Sequence, residues 1–337
     1  MNTSMNSNTM YEKESILQIR DMCKTFVLGK SLIRQMIGRK PDYLRAVHHV
    51  NLDIFAGECL GLVGESGCGK TTLGRCILRL YEPDKGQVLY NGKDFLKMKG
   101  DEALKMRQTM QIVFQDPYSS LNPRQSIQDI VGEPSLVHNM CTQSGVVDRV
   151  SYLLDLVGLN PEIMTRYPHE LSGGQRQRVG LARALSVNPE IIIADEPVSA
   201  LDVSIQAQVI NLLLDLQEKL DLTMLFITHD LRLVKYVSHR IAVMYLGSIV
   251  ELASSEALFA EPLHPYTRAL LNAAPGLNPR ARKATEAIKG EPPSPLNIPV
   301  GCPFKARCEL SMPICSEKDP VLEEIRPGHQ VACFAVR

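Results

Sequence analysis

The run Cys59-Leu60-Gly61-Leu62-Val63 leads directly into Gly64-Glu65-Ser66-Gly67-Cys68-Gly69-Lys70-Thr71, and residues from Lys70 to Leu80 have helical character. This succession limits the possible folds more than any other feature of the chain. A short apolar run without alternation fits a strand buried on both faces of a parallel sheet. A glycine-rich turn between such a strand and a helix start is the setting in which backbone N–H groups wrap a phosphate. The expected fold is therefore α/β, of the P-loop type.

The loop assigns roles residue by residue. Gly64, Gly67 and Gly69 let the backbone approach phosphate oxygens, with Glu65, Ser66 and Cys68 between them. Lys70 reaches the β- and γ-phosphates, Thr71 offers its hydroxyl to Mg²⁺, and Thr72 meets the α-phosphate. Cys68 leaves a thiol beside the nucleotide, a target for thiol reagents.

Further strands end in polar residues suited to the same chemistry. Ile191 to Ala194 is apolar and ends at Asp195-Glu196. A carboxylate at Asp195 can hold Mg²⁺, and Glu196 can orient and polarise the attacking water. Met224 to Ile227 leads to His229, which can bond the γ-phosphate and hold the water in line. Gln111 to Phe114 ends at Gln115, a candidate Mg²⁺ or water sensor. Phe26 can stack on an adenine ring or pack in the core. Strands alternating with helices indicate a parallel sheet, with a helical insertion over about 116–187. Within it Asp148–Leu156 and Gly173–Leu185 read as helices, the second capped by Ser172.

Composition bounds the rest. The chain has 337 residues, 45% hydrophobic and 22% charged, with Lys+Arg and Asp+Glu equal at 37 each. That balance argues against a nucleic-acid binder. Arg176, Arg178 and Arg183 are expected on a solvated helix face, and the basic residues Lys30, Arg34, Arg39, Lys40 and Arg45 in a solvated loop over 28–46. No apolar run is long enough to span a membrane. Residues 1–14 read as a disordered tail without an export signal. A proline-rich stretch, Glu291 to Pro299, precedes four of the nine cysteines, Cys302, Cys308, Cys315 and Cys333. In a reducing compartment such a group points to metal rather than disulfides. Its spacing is unlike the paired CxxC of zinc fingers, while four thiolates suffice for an iron–sulfur cluster.

Leu171-Ser172-Gly173-Gly174-Gln175, after the phosphate loop and before Asp195-Glu196, resembles the signature of ABC ATPases. Ser199-Ala200-Leu201-Asp202 resembles their D-loop. The resemblance spans about 15–258 and implies a nucleotide-binding domain with a parallel core, an antiparallel β subdomain and a helical signature subdomain. It also implies a second cassette whose nucleotide Ser172, Gly173, Gly174, Gln175 and Asp202 meet, so that one chain carries two half-sites. Phe114 to Arg124, His264-Pro265-Tyr266-Thr267 and Gly301 to Cys308 resemble the ATP-binding subunits of oligopeptide and dipeptide importers. The form Tyr118 to Arg124 resembles the F member of their two paired ATPases. This implies ATP and Mg²⁺ as cofactors, with hydrolysis of ATP to ADP and phosphate. The implied partners are a second ATPase, two membrane permeases and an extracytoplasmic peptide-binding protein, placing the chain peripherally on the cytoplasmic face of the membrane. Some relatives with the 259–337 extension resemble [4Fe-4S] proteins. Nickel and other small-solute importers share much of this pattern. A soluble ABC ATPase acting on nucleic acid is the alternative class, but no coiled-coil insertion, zinc hook or tandem cassette is visible.

Overall fold

The computed structural model describes residues 15–29, 41–273, 293–296, 298 and 300–336. The 1–14 tail, Lys30, Arg34, Arg39 and Lys40, and Glu291, Pro292, Asn297 and Pro299 of the proline-rich stretch lie outside the described residues. The chain divides into two units, residues 1–55, 60–96 and 229–337 in the first, and 56–59 and 97–228 in the second. Among the described residues no helix is long and apolar enough to cross a membrane.

The first unit holds an antiparallel sheet in the order Asp42–Phe55, Ser15–Leu28, Lys85–Tyr90, Lys93–Asp94. Apolar residues alternate inward along the two long strands, as in Leu17, Ile19 and Met22 facing Val50, Leu52 and Ile54. The strand from Asp42 starts inside the segment expected to be a solvated loop. Arg45 pairs with Thr25 and is half-buried, so its place is in the ribbon. In the same unit Leu60 to Val63, of the strand Cys59–Val63, pair in parallel with Arg240–Tyr245. That strand is followed by antiparallel Ser248–Ser254, His329–Val331 and Glu323–Arg326. The helix after the phosphate loop covers Lys70–Ile77, shorter than its composition implied, because Arg79 turns left-handed at φ 53°.

The second unit holds three parallel strands, Met110–Val113, Ile191–Asp195 and Thr223–Thr228, in that spatial order. The last two are buried at every position, which explains their unbroken apolar runs. The helices Ile127–Val137, Val146–Leu156 and Gly173–Leu185 form the insertion. Gly173–Leu185 has the boundaries the sequence predicts. Ser172 Oγ accepts from the Gln175 amide, while Gln175 Oε1 accepts from the Ser172 amide. This reciprocal cap satisfies two donors that a helix start otherwise leaves unpaired.

The arginines of that helix are not a solvated face. Arg176 donates to the carbonyls of Pro168 and Leu171, and Arg183 donates to that of Ser120. Arg178 donates to the carbonyls of Val157 and Gly158 and to Gln208. All three are half-buried and fasten the loops around the helix to it. A guanidinium presents five donors in a planar fork, which suits it to collecting carbonyls from several loop ends.

Candidate functional site

The phosphate loop belongs to the first unit. Its carbon skeleton is confined by what surrounds it. A Cβ at Gly64 would stand 2.2 Å from the Met244 carbonyl oxygen. At Gly69 it would stand 2.0 Å from that of Ala46, and Gly69 also has φ 110°. Any larger residue at either position would push the loop off its supports. Gly69 caps the Lys70–Ile77 helix without a side-chain acceptor, so the positive end of the helix faces the loop. The Lys70 ammonium lies buried inside the loop, bonded to the Gly64 carbonyl at 2.9 Å and the Glu65 carbonyl at 3.1 Å. Thr71 and Thr72 are half-buried, and Ser66 and Gly67 are exposed at the tip.

Cys68 departs from the expectation of a reagent-accessible thiol. It is 4% exposed, and burial pushes its thiol up from the ordinary value. Little thiolate is available at neutral pH, so it is a poor nucleophile. Phe26 is half-buried, edge-on to Tyr81 with ring centroids 5.5 Å apart and the Lys24 ammonium 5.5 Å from its centroid. His229 is exposed where it follows Thr223–Thr228.

The loop also has a support that the sequence did not announce. Arg307, from the C-terminal extension, makes an ion pair with Glu65 at 3.2 Å and donates to Tyr245 Oη at 3.4 Å. The Glu65 amide donates to Tyr266 Oη at 3.0 Å. Tyr245, Tyr266 and Phe304 pack mutually with centroids 4.6 to 5.5 Å apart. All three rings are buried, a geometry that adds to their hydrophobic contribution. His264-Pro265-Tyr266-Thr267 and Gly301 to Cys308 were thus visible as strings, but their contact with Glu65 was not.

Beneath this contact lies a buried polar knot. Glu251 accepts from the amides of Leu263 and His264 and bonds His329 Nε2 at 2.7 Å. Burial pushes its carboxyl up, and the bonds from His329, Thr267 and the two amides outweigh this and hold it low. His264 Nδ1 accepts from the Tyr266 amide at 3.0 Å, and burial lowers its pKa from 6.5 to about 4. A histidine kept neutral in the fold binds its proton more readily when unfolded. Its contribution is therefore complete above pH 6.5 and is lost as pH falls toward 4. We expect His264 to cost about 2 kcal/mol of unfolding free energy between pH 7 and pH 5. His264→Asn supplies a neutral acceptor to the same amide and should flatten that part of the dependence. Urea unfolding of both proteins at the two pH values measures it, and identical slopes would exclude the assignment.

The second unit carries the remaining candidates. Asp195 is buried at the end of Ile191–Asp195. Glu196 follows at φ 46°, a left-handed conformation that costs a residue with a side chain about 1–2 kcal/mol. Its amide donates to the Ile227 carbonyl at 2.9 Å, and its carbonyl accepts from the amide and hydroxyl of Ser199. The Gln115 side-chain amide donates to Glu196 Oε2 at 3.0 Å. Gln115 and Glu196 are thus brought together, 81 residues apart in sequence. Strain held by surrounding bonds is characteristic of functional positions.

Gly173 and Gly174 open the signature helix against the segment that follows Ser199. A Cβ on Gly174 would stand 2.5 Å from Ile205 Cγ2, and one on Gly173 3.2 Å from Leu201 Cδ2. Asp202 is exposed at the start of the Val203–Leu220 helix, next to Val203 at 82% exposure. The four extension cysteines are free thiols. Burial raises Cys302 to about 11, and the other three bear on it electrostatically.

Phosphate loop, acidic strand end and glycine-opened helix on this fold define an ATP-binding cassette. Residues 47–199 match the family model of the ABC transporter, and 250–315 that of the oligopeptide/dipeptide transporter C-terminal region. The chain is 50% identical to the oligopeptide transport ATP-binding protein AppF of Bacillus subtilis, across 96% of this chain and 98% of that protein. It is 46% identical to OppF of Salmonella typhimurium, across 96% and 97%. Among solved structures it resembles the dimeric ATP-binding cassette MJ0796 bound to ADP and Pi. There the TM-score is 0.61 and the identity 28%, covering 71% of this chain and 98% of that one. CbiO1 from Clostridium perfringens, part of an ABC transporter complex, gives 0.61 at 26% identity, covering 74% and 92%. The chain belongs to the ABC transporter ATPases, in the group that carries the oligopeptide/dipeptide transporter C-terminal region.

Proposed function

We propose that this chain is the ATP-hydrolysing subunit that powers an oligopeptide or dipeptide importer. The observation that carries the peptide assignment is the match of residues 250–315 to the oligopeptide/dipeptide transporter C-terminal region, whose Tyr266 and Arg307 hold Glu65 of the phosphate loop. Residues 15–258 form the nucleotide-binding domain, with its helical subdomain at about 116–187, and 259–337 the extension.

In this reading Phe26 meets the adenine ring, and Gly64 to Thr72 hold the triphosphate, with Lys70 turning from the loop carbonyls to the β- and γ-phosphates. Thr71, Gln115 and Asp195 offer hard oxygen donors of the kind Mg²⁺ takes. When bound, Mg²⁺ neutralises charge developing on the phosphates. Glu196 orients water and accepts its proton, steadied by Gln115, while His229 bonds the γ-phosphate. Ser172, Gly173, Gly174, Gln175 and Asp202 face the nucleotide of a second cassette. Two copies, or this chain and a paired ATPase, close around two ATP molecules, and loss of the γ-phosphate removes the preference for closure. The motion passes through the helical insertion to two permeases, which take peptide from an extracytoplasmic binding protein. The chain then sits peripherally on the cytoplasmic face of the membrane. The test is uptake of a labelled peptide by cells whose sole copy of this subunit carries Lys70→Ala. Abolished uptake supports the reading, and undiminished uptake refutes it.

Cys302, Cys308, Cys315 and Cys333 form a ligand set for a [4Fe-4S] cluster. The other three thiols act electrostatically on Cys302, which supports their lying near one another, and four thiolates are the number such a cluster takes. Anaerobically purified protein should show iron–sulfur charge-transfer absorption in the visible, and a colourless, iron-free preparation would remove the cluster.

A further inference from the structure

One group of chemistry-bearing side chains takes no part in the mechanism above. In the antiparallel ribbon Met22 pairs with Val50 and Lys24 with Val47, so Cys23 alone stands opposite His48 and His49. Such a bulge re-aims side chains that regular pairing would send to opposite faces. Asp21 and His49 both turn left-handed there, each with φ 48°. The Cys23 sulfur and one ring nitrogen from each histidine consequently lie within 4.8 Å of one another. No other group of three or more such ligands is found among the described residues.

Each imidazole has a carboxylate on one ring nitrogen. His49 Nδ1 bonds Asp21 Oδ1, and His48 Nε2 lies 3.1 Å from Asp319 Oδ2. The Asp21 carboxylate accepts the His49 ring proton at Nδ1, which leaves the lone pair on His49 Nε2. Metal-ligating histidines are typically oriented this way. Arg45 also approaches His48 at Nε2, 3.2 Å away, and not at Nδ1. The His49 amide donates to Cys23 Sγ at 3.3 Å, which fixes the sulfur beside the two rings. His48 and His49 also line a cleft of about 590 Å³.

We propose that Cys23, His48 and His49 bind a divalent transition metal, Zn²⁺, with a fourth position open to water. One thiolate and two imidazoles select zinc over magnesium or calcium, and three protein ligands leave the geometry incomplete. The site is joined to the nucleotide loop through backbone. The His48 amide donates to the Gly247 carbonyl and the Gly247 amide to that of Cys68, both at 2.8 Å. A bound ion would brace the ribbon against which the phosphate loop rests.

Zinc binding to the tag-free full chain, by competition with a chromophoric chelator, tests this. The wild type should bind one equivalent more than Cys23→Ser or His49→Asn, the latter chosen because asparagine tolerates a left-handed backbone. Asp21→Asn should keep the equivalent but weaken it about tenfold or more. With Co²⁺ as probe, a thiolate charge-transfer band should vanish in Cys23→Ser and persist in Cys308→Ser, which separates this site from the extension thiols. Zinc stoichiometry and affinity unchanged in either Cys23→Ser or His49→Asn, with the variant's thermal unfolding matching wild type, would overturn the proposal. A wild type that binds no zinc would overturn it equally.

Discussion

Glu196→Gln should bind MgATP within a few-fold of wild type and hydrolyse it about 10²–10⁴-fold more slowly, the usual contribution of a positioned general base. The substitution keeps the shape of the side chain. The new amide oxygen can still accept from Gln115, whose side-chain nitrogen lies 3.0 Å from Glu196 Oε2 in the native protein. The left-handed backbone stays fixed by Ile227 and Ser199. What is removed is the ability to take a proton from water. With binding intact and turnover slow, the ATP-bound pair should accumulate, and sedimentation with MgATP, of the variant alone or mixed with its paired ATPase, should report the mass of two cassettes. A variant that turns over at the wild-type rate would take Glu196 out of the reaction.

Lys70→Ala should lose at least about a hundredfold in ATP affinity. Lys70 already occupies the loop's interior, 4% exposed and bonded to two loop carbonyls. Transferring those bonds to the β- and γ-phosphates exchanges neutral acceptors for charged ones. Each hydrogen bond to a charged group contributes roughly 1.5–3 kcal/mol, and each 1.4 kcal/mol is a tenfold change in binding. Fluorescent-nucleotide titration measures the loss, with thermal unfolding as the check that the loop still folds. Retained affinity would mean that glycine backbone and helix end suffice for the triphosphate.

Much of this was legible because it is local. The buried strands at Cys59–Val63, Ile191–Asp195 and Thr223–Thr228 are apolar runs with polar ends, and the signature helix begins at its own cap. What stayed hidden depends on residues far apart. Arg307 and Glu65 are separated by 242 positions, and nothing near either names the other. The left-handed turn at Glu196 follows from bonds to Ile227 and Ser199, not from a glycine or asparagine that would announce it. Arg176, Arg178 and Arg183 resembled an exposed stripe because charge alone does not reveal a carbonyl waiting in a neighbouring loop. The Cys23 bulge likewise needs the pairing of two strands before its histidines can be seen to converge.

The close fit of Gly173 and Gly174 against Leu201 and Ile205 has a bearing on protein engineering. Two stretches that look separable on paper interlock like adjoining teeth of one gear. Chimaeras between paired subunits should therefore exchange residues 171–205 as a single cassette, since swapping one stretch alone would set a foreign side chain against a surface shaped for its absence.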